Sequence, residues 1–539
     1  MTVSLCLFFR WQIGSDFNLL FSDRTDGVIE ISILEHWFNV VRGYAPWSTT
    51  FYFFPYRGTL AFNDGFFLYG LPYSLFRRFG ADPFLSSELV NVVLRMVAFA
   101  AAQLFLRRSL GLGFLWSLLG AVLFTLSCNM AMRANHEQLL SVGLVPLFAW
   151  LVWNAVAAFA AGTLRRFTLW ASLAAVLMSA WLLTAYYMAW FTLFFLCIFT
   201  LLGVLTNPRA AVLWVRGLTR PCWISMATVA AVFAVSALPF LILYLPKAGA
   251  SGMHPWSEVL QYTVHPLDLI HVGSGNLLYS RLDELLNGFF RPDMPRYSEH
   301  TTGLTPLLVI VFGVACASLW TRRSGSRSRA IWLLATTAVV TWLLTLRVHG
   351  WTLWAGVFDV VPGAKALRVV VRYQIFLAAP VIAVAVAYLA RQYASVPSPL
   401  PVIIAVMLVA EQVTLVQPIA LNRSNEMARV LAVPPPPPEC RSFFVSHARP
   451  WTDLSPDIGA IYSHNVDAML LAEWFRLPTI NGFSTFRPTD WDFVGPERPD
   501  YLQRVTSYVR AHGLEGVCAL DLVTNQWESD PLRSARQAE

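Results

Sequence analysis

The sequence predicts an α-helical polytopic membrane protein of about 10–11 transmembrane helices, followed by a small α/β domain at the C-terminus. Three observations carry this expectation. Of 539 residues, 56% are hydrophobic and only 13% charged, with a mean hydropathy of +0.54, so charged side chains are too few to cover a water-facing surface of this size. Apolar runs of roughly the 20 residues needed to cross hydrocarbon recur along the chain. Arginines cluster in alternate segments between those runs, as in a chain that crosses repeatedly and keeps its cytoplasmic loops positive.

The expected spans lie at 88–106, 113–131, 139–160, 222–245, 304–320, 330–346, 373–390 and 399–416. The stretch 167–206 is twice the required length and is expected to split near Tyr186 and Tyr187, which suit an interfacial turn. Each crossing must be a helix, because hydrocarbon offers no partner to a free backbone group. The opening residues are too short to cross before Ser15 and Asp16, and Arg10 interrupts them. That start is expected to lack part of a first helix, or to lie downstream of the natural one.

Arg107 and Arg108, Arg165 and Arg166, the set Arg209, Arg216 and Arg220, the set Arg322, Arg323, Arg327 and Arg329, and Arg391 fall in every second loop. Those loops are therefore expected in the cytoplasm. The alternate segments are then external: 14–87, the Arg133 to Gln138 link, 246–303, 347–372 and the tail after Gln417. The net charge of +7 and pI near 9.1 reflect these short clusters rather than one basic face, which argues against nucleic acid as a partner.

Residues 1–417 thus form the membrane domain, 418–438 a linker and 439–539 a separate domain. The run Pro434 to Pro438 makes a stiff spacer. The tail holds 11 arginines against 15 carboxylates, so it is mildly acidic. Strand-like patches at Ser442 to Val445 and Gly516 to Leu522 alternate with helical stretches at 466–475 and 499–512. Cys440 and Cys518 each lie beside a strand; an oxidising compartment would let them pair, and otherwise they are two buried thiols. Cys6, Cys128, Cys197, Cys222 and Cys316 sit in or beside apolar segments and read as small hydrophobes.

Chemistry-bearing residues gather in the segments expected outside. The first reads Ser22, Asp23, Arg24, Thr25, Asp26, Gly27, then Glu30, then Glu35 and His36 on a helix expected to lie amphipathically on the membrane surface. Asp26 and Glu30 are one helical turn apart and Asp23 precedes Asp26 by three, so the three can share a face. Asn63, Asp64 and Gly65 make a second acidic point, and Arg133, Asn135, His136 and Glu137 form a polar link at the mouth of the bundle. His254, His265 and His271, with Asp268, match no standard zinc spacing, and a divalent metal stays open. Gly273, Ser274 and Gly275 lack the strand, helix and lysine of a phosphate-binding loop, which argues against nucleotide binding.

This layout resembles the GT-C class of membrane glycosyltransferases, whose first external loop carries an acidic residue followed by a surface helix. Asp23 and Asp26 occupy the matching place. Pro362, Arg368 and Arg372 resemble the Pro-x-x-x-x-x-Arg-x-x-x-Arg element of uncharacterised bacterial members, as do Glu299, His300, Gly303 and the run Asn481 to Ser484. The resemblance implies an inverting glycosyltransferase of the bacterial inner membrane, its tail periplasmic. A polyprenyl-phosphate sugar would be the donor, membrane lipid the setting, and a lipid, glycan or protein the acceptor. Asp26 or Asp23 would take the acceptor proton. Arg368 and Arg372, four apart and expected to face the same way, would hold the donor phosphate. Glu30, His36, Asp64 and His136 would line the substrate site.

Simpler roles compete with these. An Asp near a helix start usually caps it, and arginines flanking a span commonly meet bulk lipid headgroups. A flippase for a lipid-linked glycan and a non-catalytic envelope scaffold are the alternative functions.

Overall fold

The computed structural model describes residues 1–293, 298–321, 326–393, 399–415, 420–450 and 456–532. Arg322, Arg323 and the boundary expected at Gln417 lie outside the described residues. Among the described residues, seven helices are long and apolar enough to cross a membrane: Pro83–Ser109, Phe114–Ala131, Glu137–Ala160, Tyr186–Thr206, Arg220–Ala250, Ser328–Thr345 and Val370–Gln392. The shortest has 18 residues, about 27 Å at 1.5 Å per residue.

The opening segment, too short to cross, breaks into Thr2–Phe8 and Arg10–Gly14. Three expected crossings are not among the seven, each for a local reason. Leu164–Leu182 has 19 residues but begins with Arg165 and Arg166, which dilute its apolar character. Pro306–Thr321 has 16 residues. Leu400–Ala410 has only 11, about 16 Å. It stops where Glu411 turns to accept the backbone N–H groups of Leu307 and Leu308, at 3.0 and 2.9 Å. These are the first-turn donors of Pro306–Thr321 that no helical carbonyl can reach.

The chain forms two compact units. One comprises residues 1–13, 92–238 and 253–418. Its central helix Val370–Gln392 packs against Phe114–Leu126, Tyr186–Thr206, Pro306–Thr321 and Ser326–Thr345. The run Ala383, Val384, Ala385, Val386, Ala387 lets neighbouring helices approach closely, as small side chains do where lipid supplies no hydrophobic drive between helices. Leu106, Leu319 and Ile331 close onto Val384 and Ala387 in this core. Helix Leu164–Leu182 ends just before Tyr186–Thr206 begins, with Ala185 extended between them.

The second unit comprises residues 14–91, 239–252 and 419–539. Leu19–Leu20 pairs antiparallel with Leu421–Asn422. Ser442–His447 runs parallel to Val517–Asp521, which pairs antiparallel with Gln526–Glu528. The parallel pair needs a long crossover, and Pro456–Phe475 and Tyr501–Ala511 lie within it. Cys440 and Cys518 form a disulfide across the start of the parallel pair, with Cα atoms 5.6 Å apart.

Two expectations about this unit are corrected. Helix Asp26–Val41 is not a surface helix: Gly27 through Asn39 are all buried, and it packs between Phe67–Arg78 and Pro456–Phe475. Val28, Ile29, Ile31, Ile33 and Leu34 spread apolar groups around its whole circumference, and such a helix goes inside. The stretch expected as a linker contains strand Leu421–Asn422 and helix Arg423–Leu431. Asn422 caps that helix by accepting from Asn425 N at 3.0 Å. The unpatterned stretch is confined to the prolines.

The disulfide closes a 78-residue separation, for which loop-closure entropy gives a stabilisation of about 4 kcal/mol. A Cys440→Ala/Cys518→Ala protein should therefore melt well below wild type in detergent. Wild type treated with reductant should fall to the same midpoint.

Candidate functional site

In the first unit, aromatic side chains set the loop after Pro362. Trp190 Nε1 donates to Pro362 O at 2.9 Å and the Tyr186 hydroxyl to Gly363 O at 3.1 Å. Gly363 has φ +81°, and a Cβ there would come within 2.0 Å of the Tyr186 oxygen, so only glycine fits. The Tyr187 hydroxyl then accepts the backbone N–H groups of Arg368 and Val369 at 2.8 and 3.1 Å. Val371 N donates to Tyr262 O at 2.8 Å.

This path sends the two arginines to different partners, contrary to the expectation that they face one way. Arg368 lies at a bend rather than on a helix. Its half-exposed guanidinium is 3.5 Å from Glu258 and stands over the Tyr262 ring. Arg372 is buried, stands over the Tyr187 ring and forks onto Glu299: Nε to Oε2 at 3.1 Å and Nη2 to Oε1 at 2.6 Å.

Glu299 gathers two further basic side chains. His136 Nε2 is 3.2 Å from Oε1, and Arg133 Nη1 is 3.9 Å from Oε2. Burial opposes ionisation of Glu299, but Arg372 above all, then His136 and Arg133, hold its carboxyl well below the ordinary range. Burial pushes Arg133 down to about 10, against the pull of Glu299. Arg133 is only 7% exposed and its buried Nε has no hydrogen-bond partner among the described residues. Two guanidiniums against one carboxylate leave this cluster with an excess positive charge even with His136 neutral. Charge-assisted bonds from such guanidiniums suit carboxylate or phosphate oxygens.

The histidine-rich loop is a structural network. The Asp268 carboxylate accepts from Arg291 Nη1 and from His265 N, and meets His300 Nδ1, each at 2.7 Å. Burial opposes its charge, yet His300 and Arg291 keep it below the ordinary range. His271 meets Asp283 at 2.7 Å and His254 meets Glu258 at 3.1 Å. Among the described residues, no three of His, Cys, Asp and Glu converge as a metal set.

In the second unit, Asp23 stands at the start of Asp26–Val41. Its Oδ1 accepts the backbone N–H groups of Thr25 and Asp26 at 2.9 Å each and the Thr25 hydroxyl at 2.6 Å. This is an Asx turn that ties the loop to the backbone just ahead of the helix. Asp26, the first residue of the helix, is half-buried, and Glu30 one turn on is buried. Arg24 between the two aspartates pairs with Glu426 at 3.0 Å and with Asp467. Asp467 also receives Arg429 at 3.2 Å.

His36 is fully buried, 3.1 Å from Trp47 O and 3.6 Å from Glu473. Burial takes its pKa down to about 4 and that of Glu473 up to about 8, so at neutral pH this is a neutral pair. Glu473 also accepts Phe51 N at 3.0 Å and Asn39 Nδ2 at 2.9 Å. His36 is therefore a core residue of this unit. Asp64 is half-buried next to Asn63, whose carbonyl accepts the Tyr244 hydroxyl at 2.7 Å.

Of the residues expected at the site, Arg372 and His136 come together, and Arg368 stands with Glu258. Arg133 and Glu299 complete the cluster; the sequence showed the first in a polar link expected at the mouth of the bundle and the second as a motif fragment. No protein-family model matches the chain, and no curated protein matches it.

Two measurements test this electrostatic picture. Because Glu299 is depressed in the folded state, it contributes stability above the unfolded carboxyl range near pH 4.3, and loses it as acid protonates the folded group. Glu299→Gln should cost about 3 kcal/mol at pH 7 by stranding buried guanidiniums, and should flatten the acid limb of the melting curve. Glu473 has the opposite sign. Its folded pKa is raised from 4.5 to about 8, so stability falls as pH rises through that interval and its ionisation is resisted. Wild type should melt lower at pH 9 than at pH 6, and Glu473→Gln should shrink that difference.

Proposed function

We propose that the chain is an integral-membrane glycosyltransferase of the GT-C type, transferring a sugar from a polyprenyl-phosphate donor to a lipid, glycan or protein acceptor on the periplasmic face of a bacterial inner membrane. The observation that carries this reading is the Arg372, Arg133 and His136 cluster around Glu299, in a chain whose described residues include seven helices apolar and long enough to cross a membrane. Arg372 and Arg133 would stabilise the departing phosphate, with half-exposed Arg368 as an outer contact.

Asp26 is the preferred base. It is the half-buried first residue of helix Asp26–Val41, and one Asp23 oxygen holds its backbone N–H at 2.9 Å. A disulfide in the tail accords with an oxidising compartment, and arginines in alternate loops accord with the assumed orientation.

A flippase would be expected to carry intramembrane charges with work to do. Arg95 instead donates Nη1 to Met130 Sδ at 2.7 Å and Nη2 to Leu140 O at 3.2 Å, and Glu411 holds the start of Pro306–Thr321. Both are structural, which favours the enzyme.

The test is transfer from a panel of radiolabelled polyprenyl-phosphate sugars to crude envelope acceptor, using full-length protein in detergent. Asp26→Asn should lower kcat by about 100-fold or more, as loss of a general base does, with melting unchanged. Asp23→Asn, which can still form the Asx turn, should lose far less. Consumption of no donor, or equal activity in both variants, would sink the enzyme reading and direct the work to lipid-linked glycan translocation.

A further inference from the structure

The second unit contains both the acidic loop 22–26 and the C-terminal tail, and the tail grips this loop from two sides. On one side the hold is backbone pairing: Leu19–Leu20 against Leu421–Asn422, Leu421 N to Ser22 O at 2.8 Å, and Arg423 N to Asn18 O at 2.8 Å. On the other side is a single side chain. Arg24 lies between Asp23 and Asp26 and sends Nε to Glu426 Oε1 at 3.0 Å and Nη2 to Asp467. Glu426 belongs to helix Arg423–Leu431 and Asp467 to Pro456–Phe475, so one guanidinium bridges two tail helices.

Both carboxylates are nearly buried, as is Arg24, whose side chain is 14% exposed. An ion pair so placed holds its geometry far better than an exposed one. Tail residues 479–481 complete the grip farther along the same segment. Thr479 N donates to Phe51 O, Phe54 N to Thr479 O and Phe53 N to Asn481 O, at 2.7, 2.9 and 2.9 Å. Gly482 lies flat on the Phe53 ring, where a Cβ would come within 2.7 Å.

We propose that Arg24 is a positioning residue through which the tail fixes the carboxylate of Asp26, making the tail part of the catalytic apparatus rather than a separate envelope-binding module. The proposal rests on the glycosyltransferase reading for its catalytic half. Its mechanical half stands on these contacts alone. The chain of causation is short: Arg24 anchors the loop, the anchored loop lets the Asp23 carboxylate hold the backbone N–H of Asp26, and that bond orients the first residue of the helix, Asp26. The remaining partners of Asp467 are Arg429 at 3.2 Å and Arg449 at 3.9 Å. They keep it compensated when Arg24 is replaced, so Arg24→Gln should loosen the loop without unfolding the tail.

The experiment compares full-length wild type, Arg24→Gln, Arg24→Lys and Glu426→Gln in detergent by hydrogen exchange and by sugar transfer from the donor panel. Amides of Thr25 and Asp26 should exchange at least tenfold faster in Arg24→Gln, and those of strand Val517–Asp521 should be unchanged. Glu426→Gln, which leaves the Asp467 contact, should give a smaller effect of the same kind, and Arg24→Lys should recover most of the protection. In transfer, Arg24→Gln should lower kcat at least tenfold with the donor KM within twofold. Unchanged loop exchange, or equal loosening of loop and strand, overturns the mechanical claim. A loosened loop with full kcat overturns the catalytic one. If wild type consumes no donor, the glycosyltransferase reading fails, and exchange alone decides whether the tail holds the loop.

Discussion

A guanidinium withdrawn from water must find acceptors, a carboxylate above all, or lose several kcal/mol, and this constraint shapes the polar contacts within each unit. Arg372 can be buried at the start of Val370–Gln392 because Glu299 arrives in a fork from a loop 73 residues away in sequence. The loop after Pro362 must then follow the path that Tyr186, Tyr187 and Trp190 fix. In the second unit Arg24 imposes the same condition on the tail, whose helices must place Glu426 and Asp467 against it. Within each unit, packed helices supply the scaffold, and a buried cation fixes which loops close on it.

Apolar length made most of the fold legible. Helices such as Glu137–Ala160 and Tyr186–Thr206 need no partner to be recognised, because only their own length and composition matter. Legibility failed where an element's extent depends on something distant in sequence. Leu400–Ala410 looks extendable to 416, yet it ends at Glu411 because the start of Pro306–Thr321 needs that carboxylate. Asp26–Val41 shows Glu30, Glu35, His36 and Asn39, which read as a water-facing stripe. They turn out to be inward groups met by partners such as Arg77 on Glu35 and Glu473 on Asn39. Hydrophobic pattern cannot separate a polar residue that faces water from one that faces a distant partner.

The candidate site was legible to a similar degree. The arginines after Pro362 stood out because positive charge is unusual in a segment expected outside, and Arg372 does enter a cluster. Their four-residue spacing suggested a common face, which presumes a helix. The Tyr187 hydroxyl instead takes the backbone N–H groups of Arg368 and Val369, so the segment bends before helical turns begin. Asp23 and Asp26 looked equivalent in sequence. Their difference lies in one Asx-turn oxygen, which only backbone geometry reveals.

The two charge clusters differ in a way that separates scaffolding from ligand binding. In the second unit, Arg24 directs its donors to two carboxylates, and Arg449 directs its own to Leu522 O, Arg429 O and Asn525 Oδ1 at 3.1, 2.9 and 2.6 Å. Such a network resists change, because any new anion would displace bonds already made. Around Glu299 the balance is different. Arg372 is fully engaged, but Arg133 reaches the same carboxylate only at 3.9 Å and has a buried Nε without a hydrogen bond. A buried cation with donors in reserve is what the proposed phosphate contact would use.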